Sequence, residues 1–134
     1  MTTPTPSSTP IPAKPTAAEL DLLRVLWRLG AADAKQVHEA LRADRPEASY
    51  ATVLRQLQLM HGKGLLTRDE RQRPQRYAPA QAQDKLQTHL LRDLIAKAFG
   101  GSGKALVLAA LKGHVSAEER AEIEQLLHGK DGQA

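Results

Sequence analysis

The 134-residue sequence predicts a mainly α protein in two parts: a three-helix segment closed by a β hairpin at residues 16–80, then a helical segment at 81–128. Three observations predict it. Capping signatures, with Thr, Asp or Ser followed three residues later by Glu or Gln, stand at Thr16–Glu19, Asp33–Gln36 and Ser116–Glu119, each ahead of apolar residues at helical spacing. Aromatic residues make up only 3% of the chain, so the core is left to Leu, Ala and Val, and the first two are strong helix formers. β-like sequence occurs once, as two short runs between Leu65 and Ala78.

Residues 1–15, rich in proline, threonine and serine, cannot form a packed core and are expected to be a disordered tail. Thr16 caps the first helix, in which Leu20, Leu22, Leu23, Leu26, Trp27 and Leu29 make a wide apolar face, and Gly30 stops it. Asp33 caps the second, Ala34 to about Arg42, with Val37, Ala40 and Leu41 inward. Pro46 keeps that helix from running through Arg45. Ser49 caps the third, which ends near Gly62 or Gly64. Its Val53, Leu57 and Met60, supported by Leu54, face a core, while Ala51, Thr52, Arg55, Gln56 and Leu59 lie towards the other side. The strands are expected at Leu65–Glu70 and Arg73–Ala78, the second at a sheet edge because Pro74 has no N–H for a ladder; Leu66 and Tyr77 return the hairpin to the core. Two helices, a third with a polar outer face, and a hairpin directly after it make a winged helix-turn-helix.

The remainder is helical. Asp84 to about Phe99 carries Leu86, Leu90, Leu91, Leu94 and Ile95; Gly100–Gly103 breaks it as a flexible joint. Lys104–Lys112 contains Leu106, Val107 and Leu111, and Ala117–His128 contains Ile123, Leu126 and Leu127, with a tail at 129–134. Three short helices bury too little surface for a core of their own. A second copy is the expected cover, which makes 81–128 a helical dimerisation domain; docking back on the winged helix is the alternative.

The net charge of +4 is unevenly placed. Residues 16–48 carry five basic and six acidic side chains and residues 81–134 seven of each, whereas residues 49–80 carry six basic against two acidic. The excess falls on the third helix and the hairpin, as expected of a surface for a polyanion, with a solvated charged face as the plainer alternative. A helix entering the DNA major groove needs small residues at its start and donors able to pair with base edges. Ala51 and Thr52 are small and can touch a thymine methyl, Arg55 can pair with guanine, and Gln56 with adenine. Thr16, Ser49, Tyr50, Lys63, Arg68, Arg71, Arg73 and Arg76 are the expected phosphate contacts, with Asp69 and Glu70 pointing away.

Enzymatic and metal chemistry lack their residues. The chain has no cysteine, and its five histidines are dispersed without an HxxxH or HExxH pair. Gly100–Lys104 lacks the spacing of a phosphate-binding loop and follows no strand, so no cofactor is expected. No run approaches the ~20 apolar residues of a membrane span, and the first residues lack the apolar centre of a secretory signal; a cytoplasmic protein without membrane insertion is expected.

The stretches TAAELDLLRVLWRLGAADAKQVHEAL, YATVLRQLQLMHGKGLLTRDERQRPQRYAPA and LLRDLIAKAFGGSGKALVLAAL, followed by VSAEE, resemble the BlaI/MecI/CopY family over about Thr16 to Leu127. That family comprises the penicillinase and methicillin-resistance repressors and copper-responsive relatives. The resemblance implies a homodimeric winged-helix repressor that binds an inverted-repeat operator with TACA/TGTA-like halves. In the antibiotic-resistance branch it implies relief of repression through a membrane sensor protease, by cleavage near the start of the dimerisation domain; in this chain Phe99, Gly100, Gly101 and Ser102 are the expected switch region, acted on by cleavage, a ligand or a protein contact. The chain departs from the family pattern at Ala51, Arg55, Gln56, Gln72 and Pro74, and it has neither the Cys-x-Cys pair of the copper branch nor an Asn-Phe bond near Phe99–Leu106. Two other expectations stay open: a winged helix that docks protein and binds no DNA, and a repressor gated by a small ligand.

Overall fold

A computed structural model describes residues 14–133, with side chains placed through Gly129. The elements are α1 (Ala17–Leu29), β1 (Ala32–Asp33), α2 (Ala34–Leu41), α3 (Tyr50–Gly62), β2 (Leu66–Asp69), β3 (Arg76–Pro79), α4 (Gln83–Ala98), α5 (Gly103–Gly113) and α6 (Ala117–Gln133). The expected tail at 1–15 lies outside the described residues except for Lys14 and Pro15, and Pro15 is buried. The chain divides into two compact units, one up to Gln87 and one from Thr88.

In the first unit each helix begins where its capping residues place it. Thr16 Oγ1 accepts from Glu19 N at 3.1 Å while Glu19 Oε1 accepts from Thr16 N at 3.0 Å, and Asp33 and Gln36 repeat the exchange at 2.9 Å in both directions. These bonds occupy amides that a helix start leaves without an intrahelical partner. Leu22, Leu23, Val25 and Leu26 of α1 meet Val37 and Leu41 of α2 and Val53, Leu57 and Met60 of α3 in one core. Leu29, expected on that face, is exposed because it lies at the last residue of α1, where Gly30 turns the chain away.

The hairpin differs from expectation. β2 is Leu66–Asp69 and β3 is Arg76–Pro79, so Pro74 lies in the six-residue loop Glu70–Gln75 and not in a strand. β3 is the centre of a three-stranded antiparallel sheet ordered β1-β3-β2, because the two-residue β1, unforeseen in the sequence, pairs Ala32 with Tyr77 and Asp33 with Arg76. The missing proline N–H is therefore no reason for β3 to sit at an edge: the ladder begins two residues later. Leu66 and Tyr77 do return the hairpin to the core, at 3% and 2% exposure. Gly64, with φ +86°, makes the reversal from α3 into β2, a backbone conformation that disfavours any residue with a Cβ.

Leu86, expected on the dimerisation face, is instead part of the first unit and is 7% exposed. It lines a small recess with Leu23, Trp27 and Leu65, and Trp27 Nε1 donates to Gln81 O at 3.0 Å beside it.

In the second unit Ser102 caps α5, accepting from Ala105 N at 3.0 Å, and a Ser116–Glu119 capping box opens α6. α6 continues to Gln133, so the expected 129–134 tail is helical as far as it is described; Gly129 and Gly132 lower helix propensity by about 1 kcal/mol each, and the helix runs through both. No residue from Thr88 to Gly129 is buried.

Candidate nucleic-acid interface

Contacts at its start, along its length and at its end fix α3 on its scaffold. At its start Ser49 Oγ accepts from Thr52 N at 3.1 Å and donates to Thr52 Oγ1 at 3.0 Å. Just before that cap, Ala48 O lies 3.0 Å from His38 Nε2 on α2; a carbonyl can only accept, so Nε2 carries the hydrogen. The His38 ring meets the Tyr50 ring edge-on at 6.1 Å, an arrangement favoured by the ring quadrupoles. Along its length Val53, Leu57 and Met60 are fully buried. At its end Lys63 Nζ meets Glu19 Oε2 at 2.6 Å, joining the C-cap of α3 to the first turn of α1.

The outward face of α3 carries Tyr50, Ala51, Thr52, Arg55, Gln58 and Leu59, all exposed. Arg55 makes no hydrogen bond or ion pair among the described residues, so its guanidinium is available to a ligand. Gln56 is not on this face. It is half-buried, and its Oε1 is sealed from solvent with no hydrogen-bond partner among the described residues, so the expected adenine pairing lacks an accessible acceptor there. The helical period explains the displacement: Gln56 stands four residues before Met60 and three after Val53, on the flank of the core. Gln58, three residues after Arg55 and seven after Ala51, takes the outward position.

The hairpin neutralises part of its own charge. Asp69 and Glu70 are paired with two of its arginines. Glu70 accepts from Arg68 at 2.7 and 3.1 Å, and Asp69 accepts from Arg71 at 3.2 Å as well as from its backbone N at 3.0 Å. The hydrogen bond from Arg68 holds the Glu70 carboxyl below its ordinary pKa, and that from Arg71 does the same for Asp69, so both pairs are ionised near neutral pH. Arg76 donates to Ala31 O at 2.8 Å, a neutral partner that leaves its charge unbalanced, and Arg73 is exposed without a hydrogen bond or ion pair among the described residues. Lys63, also expected at a phosphate, is held by Glu19. The cations of this region with no hydrogen bond or ion pair to a carboxylate among the described residues are therefore Arg55, Arg73 and Arg76. Thr16 is committed to the α1 cap.

Between the start of α2, the flank of α3 and the loop before β3 lies an open groove of about 260 Å³, with Lys35, Tyr50, Leu54, Gln58, Pro74 and Gln75 on its walls. Neither Lys35 nor Gln75 stands out in the sequence. Only the folded chain brings them beside α3.

Of the residues expected to dimerise, Leu91, Leu94, Val107, Ile123, Leu126 and Leu127 are exposed, Leu126 at 70%, and Leu90, Ile95, Leu106 and Leu111 are half-buried. At the α4–α5 joint Phe99 is half-buried, Gly100 and Gly101 take positive φ values of +60° and +86°, and Ser102 caps α5. Among the described residues no group of three or more His, Asp or Glu side chains is placed to hold a metal ion, and no single helix is long and apolar enough to cross a membrane.

A family model described as penicillinase repressor matches residues 15–129. The chain belongs to that family. Among its curated relatives is the transcriptional regulator BlaI of Mycobacterium tuberculosis, which matches in two strains at 33% identity over 93 residues, covering 69% of this chain and 67% of the relative. The protein is thus a transcriptional repressor of the penicillinase repressor family, a family of regulators and not of enzymes. Its fold, a winged helix followed by a helical C-terminal unit, agrees with that membership.

Proposed function

We propose that this repressor binds an inverted-repeat DNA operator as a homodimer and blocks transcription by occupying it. The single observation that carries the proposal is the outward face of α3, where small residues at Ala51 and Thr52 stand beside an unpaired Arg55 while the opposite face is fully buried. Such a face fits the ~12 Å major groove, with Arg55 on the O6 and N7 atoms of guanine and the Ala51 or Thr52 methyl on thymine. Ser49, Tyr50 and Arg73 lie around it as phosphate contacts, and Arg68 and Arg71 contribute only by exchanging a carboxylate for a phosphate.

What supports the dimer is the second unit, in which no side chain from Thr88 to Gly129 is buried within one chain although Leu91, Leu94, Val107, Ile123, Leu126 and Leu127 are all apolar. A partner copy covering them would join two weak half-site readers at high effective concentration. Severing the second unit at Phe99–Ser102 by a membrane sensor protease, or disturbing it there by another contact, would separate α5 and α6 from the reading domain, undo that gain and relieve repression.

The experiment is a titration of the intact protein against a random duplex pool at several salt concentrations. Binding whose logarithm falls steeply with log salt is expected. Absence of binding to any duplex refutes the proposal and favours a protein-docking winged helix.

A further inference from the structure

The groove beside α3 is walled by donors that nothing among the described residues uses. Among the described residues, Lys35 Nζ, the Tyr50 hydroxyl and the side-chain amides of Gln58 and Gln75 make no hydrogen bond or ion pair. They come from three elements: Lys35 from the first turn of α2, Tyr50 and Gln58 from α3, and Gln75 from the loop ahead of β3. Pro74 adds an apolar wall. Unused donors around an apolar patch match the alternation of phosphate oxygens and sugar faces along a nucleic-acid strand. Tyr50 and Gln58, which line the groove, are also exposed on the helix that carries Ala51 and Arg55, so a strand whose bases meet that helix has its backbone near the groove.

We infer that this groove seats one sugar–phosphate strand of the DNA, held by Lys35, Tyr50 and Gln75, and that Asp33 on its wall sets an upper limit on affinity. This rests on the DNA-binding reading above. Among the described residues, Asp33 is the one acidic group lining the groove. It is retained there by its cap: Oδ1 accepts from Gln36 N at 2.9 Å, and its backbone N donates to Gln36 Oε1 at 2.9 Å. A carboxylate fixed at that place repels a phosphate that Lys35 attracts, two residues further on. The pair therefore gives two substitutions with opposite signs, and neither touches a base-reading residue.

The test measures duplex binding of the intact protein by fluorescence anisotropy from about 0.05 to 0.3 M salt, for the wild type, Lys35→Ala and Asp33→Asn. Loss of one phosphate contact lowers the slope of log affinity against log salt by about 0.9, which from a 1 M reference corresponds to about fivefold weaker binding at 0.15 M. Lys35→Ala should weaken every sequence by that factor with the order of preference among sequences unchanged. Asp33→Asn should tighten every sequence several-fold, and its melting temperature should stay close to wild type because Asn caps a helix as well as Asp. An unchanged slope in Lys35→Ala, or unchanged affinity in a folded Asp33→Asn, overturns the groove assignment while DNA binding itself stands. Failure of the wild type to bind any duplex overturns both.

Discussion

Glu19→Gln isolates the ion pair that ties the end of the reading helix to the first turn of α1. Glu19 Oε2 lies 2.6 Å from Lys63 Nζ, while its Oε1 completes the Thr16 capping box. A glutamine amide keeps the reciprocal cap, so the substitution removes the charge and little else. The Glu19 side chain is 10% exposed and that of Lys63 39%, which places the pair between a surface bridge and a buried one. Breaking a fully buried pair costs 3–5 kcal/mol because the remaining charge is stranded. Lys63 can swing into water, so the expected loss is about 1 kcal/mol. For a domain of this size that is a fall of about 4–8 °C in melting temperature. The pH dependence is the sharper test. Burial raises the Glu19 pKa, but the hydrogen bond from Lys63, the backbone bond from Thr16 and the Lys63 charge together outweigh it and leave the folded value below the ordinary 4.5. The unfolded chain then binds the proton more readily, so the stabilisation is complete above 4.5 and is lost as pH falls through the lower folded value. Melts followed by circular dichroism should show wild type above Glu19→Gln at neutral pH, with the gap closing in acid once the carboxyl is protonated. A gap that persists unchanged in acid, or no gap at neutral pH, refutes the assignment of stability to this pair.

The other predictions concern the interface and the second unit. Arg55→Ala should lose about 1–3 kcal/mol of binding and relax discrimination at one base pair, measured by competition among operator variants; uniform weakening of all sequences would reduce Arg55 to a backbone contact. Gln56→Met removes a sealed, unpartnered carbonyl oxygen in favour of an apolar chain of similar length, so it should leave sequence preference intact and stabilise the fold by up to about 1 kcal/mol. If preference changes, Gln56 reads DNA after all. Leu126→Glu with Leu127→Glu should shift the protein to monomer in sedimentation and lower operator affinity while the first unit keeps its melting temperature; an unaltered dimer would place the interface elsewhere.

How much of this was legible in the sequence follows the distance over which each interaction acts. The caps at Thr16, Asp33 and Ser116 link residues three apart, and all were open to inspection before folding. Arg68 and Arg71 meet their carboxylates only two residues away, but other partners are remote: Lys63 from Glu19 by 44 positions, Arg76 from Ala31 by 45, and Trp27 from Gln81 by 54. No local count finds them, and the local excess of six basic over two acidic residues overstates the cations left to a ligand. Gln56 is a different failure, because the helical period that put Val53, Leu57 and Met60 inside already placed position 56 on their flank and position 58 opposite. Gln56 follows Arg55 directly, but consecutive helical residues point about 100° apart, so the two do not share a face. The groove belongs to the remote class. Lys35, Tyr50 and Gln75 acquire a common purpose only when β1 pairs with β3 and brings the start of α2 against the loop before β3, so the two-residue strand that the sequence concealed is what assembles the site.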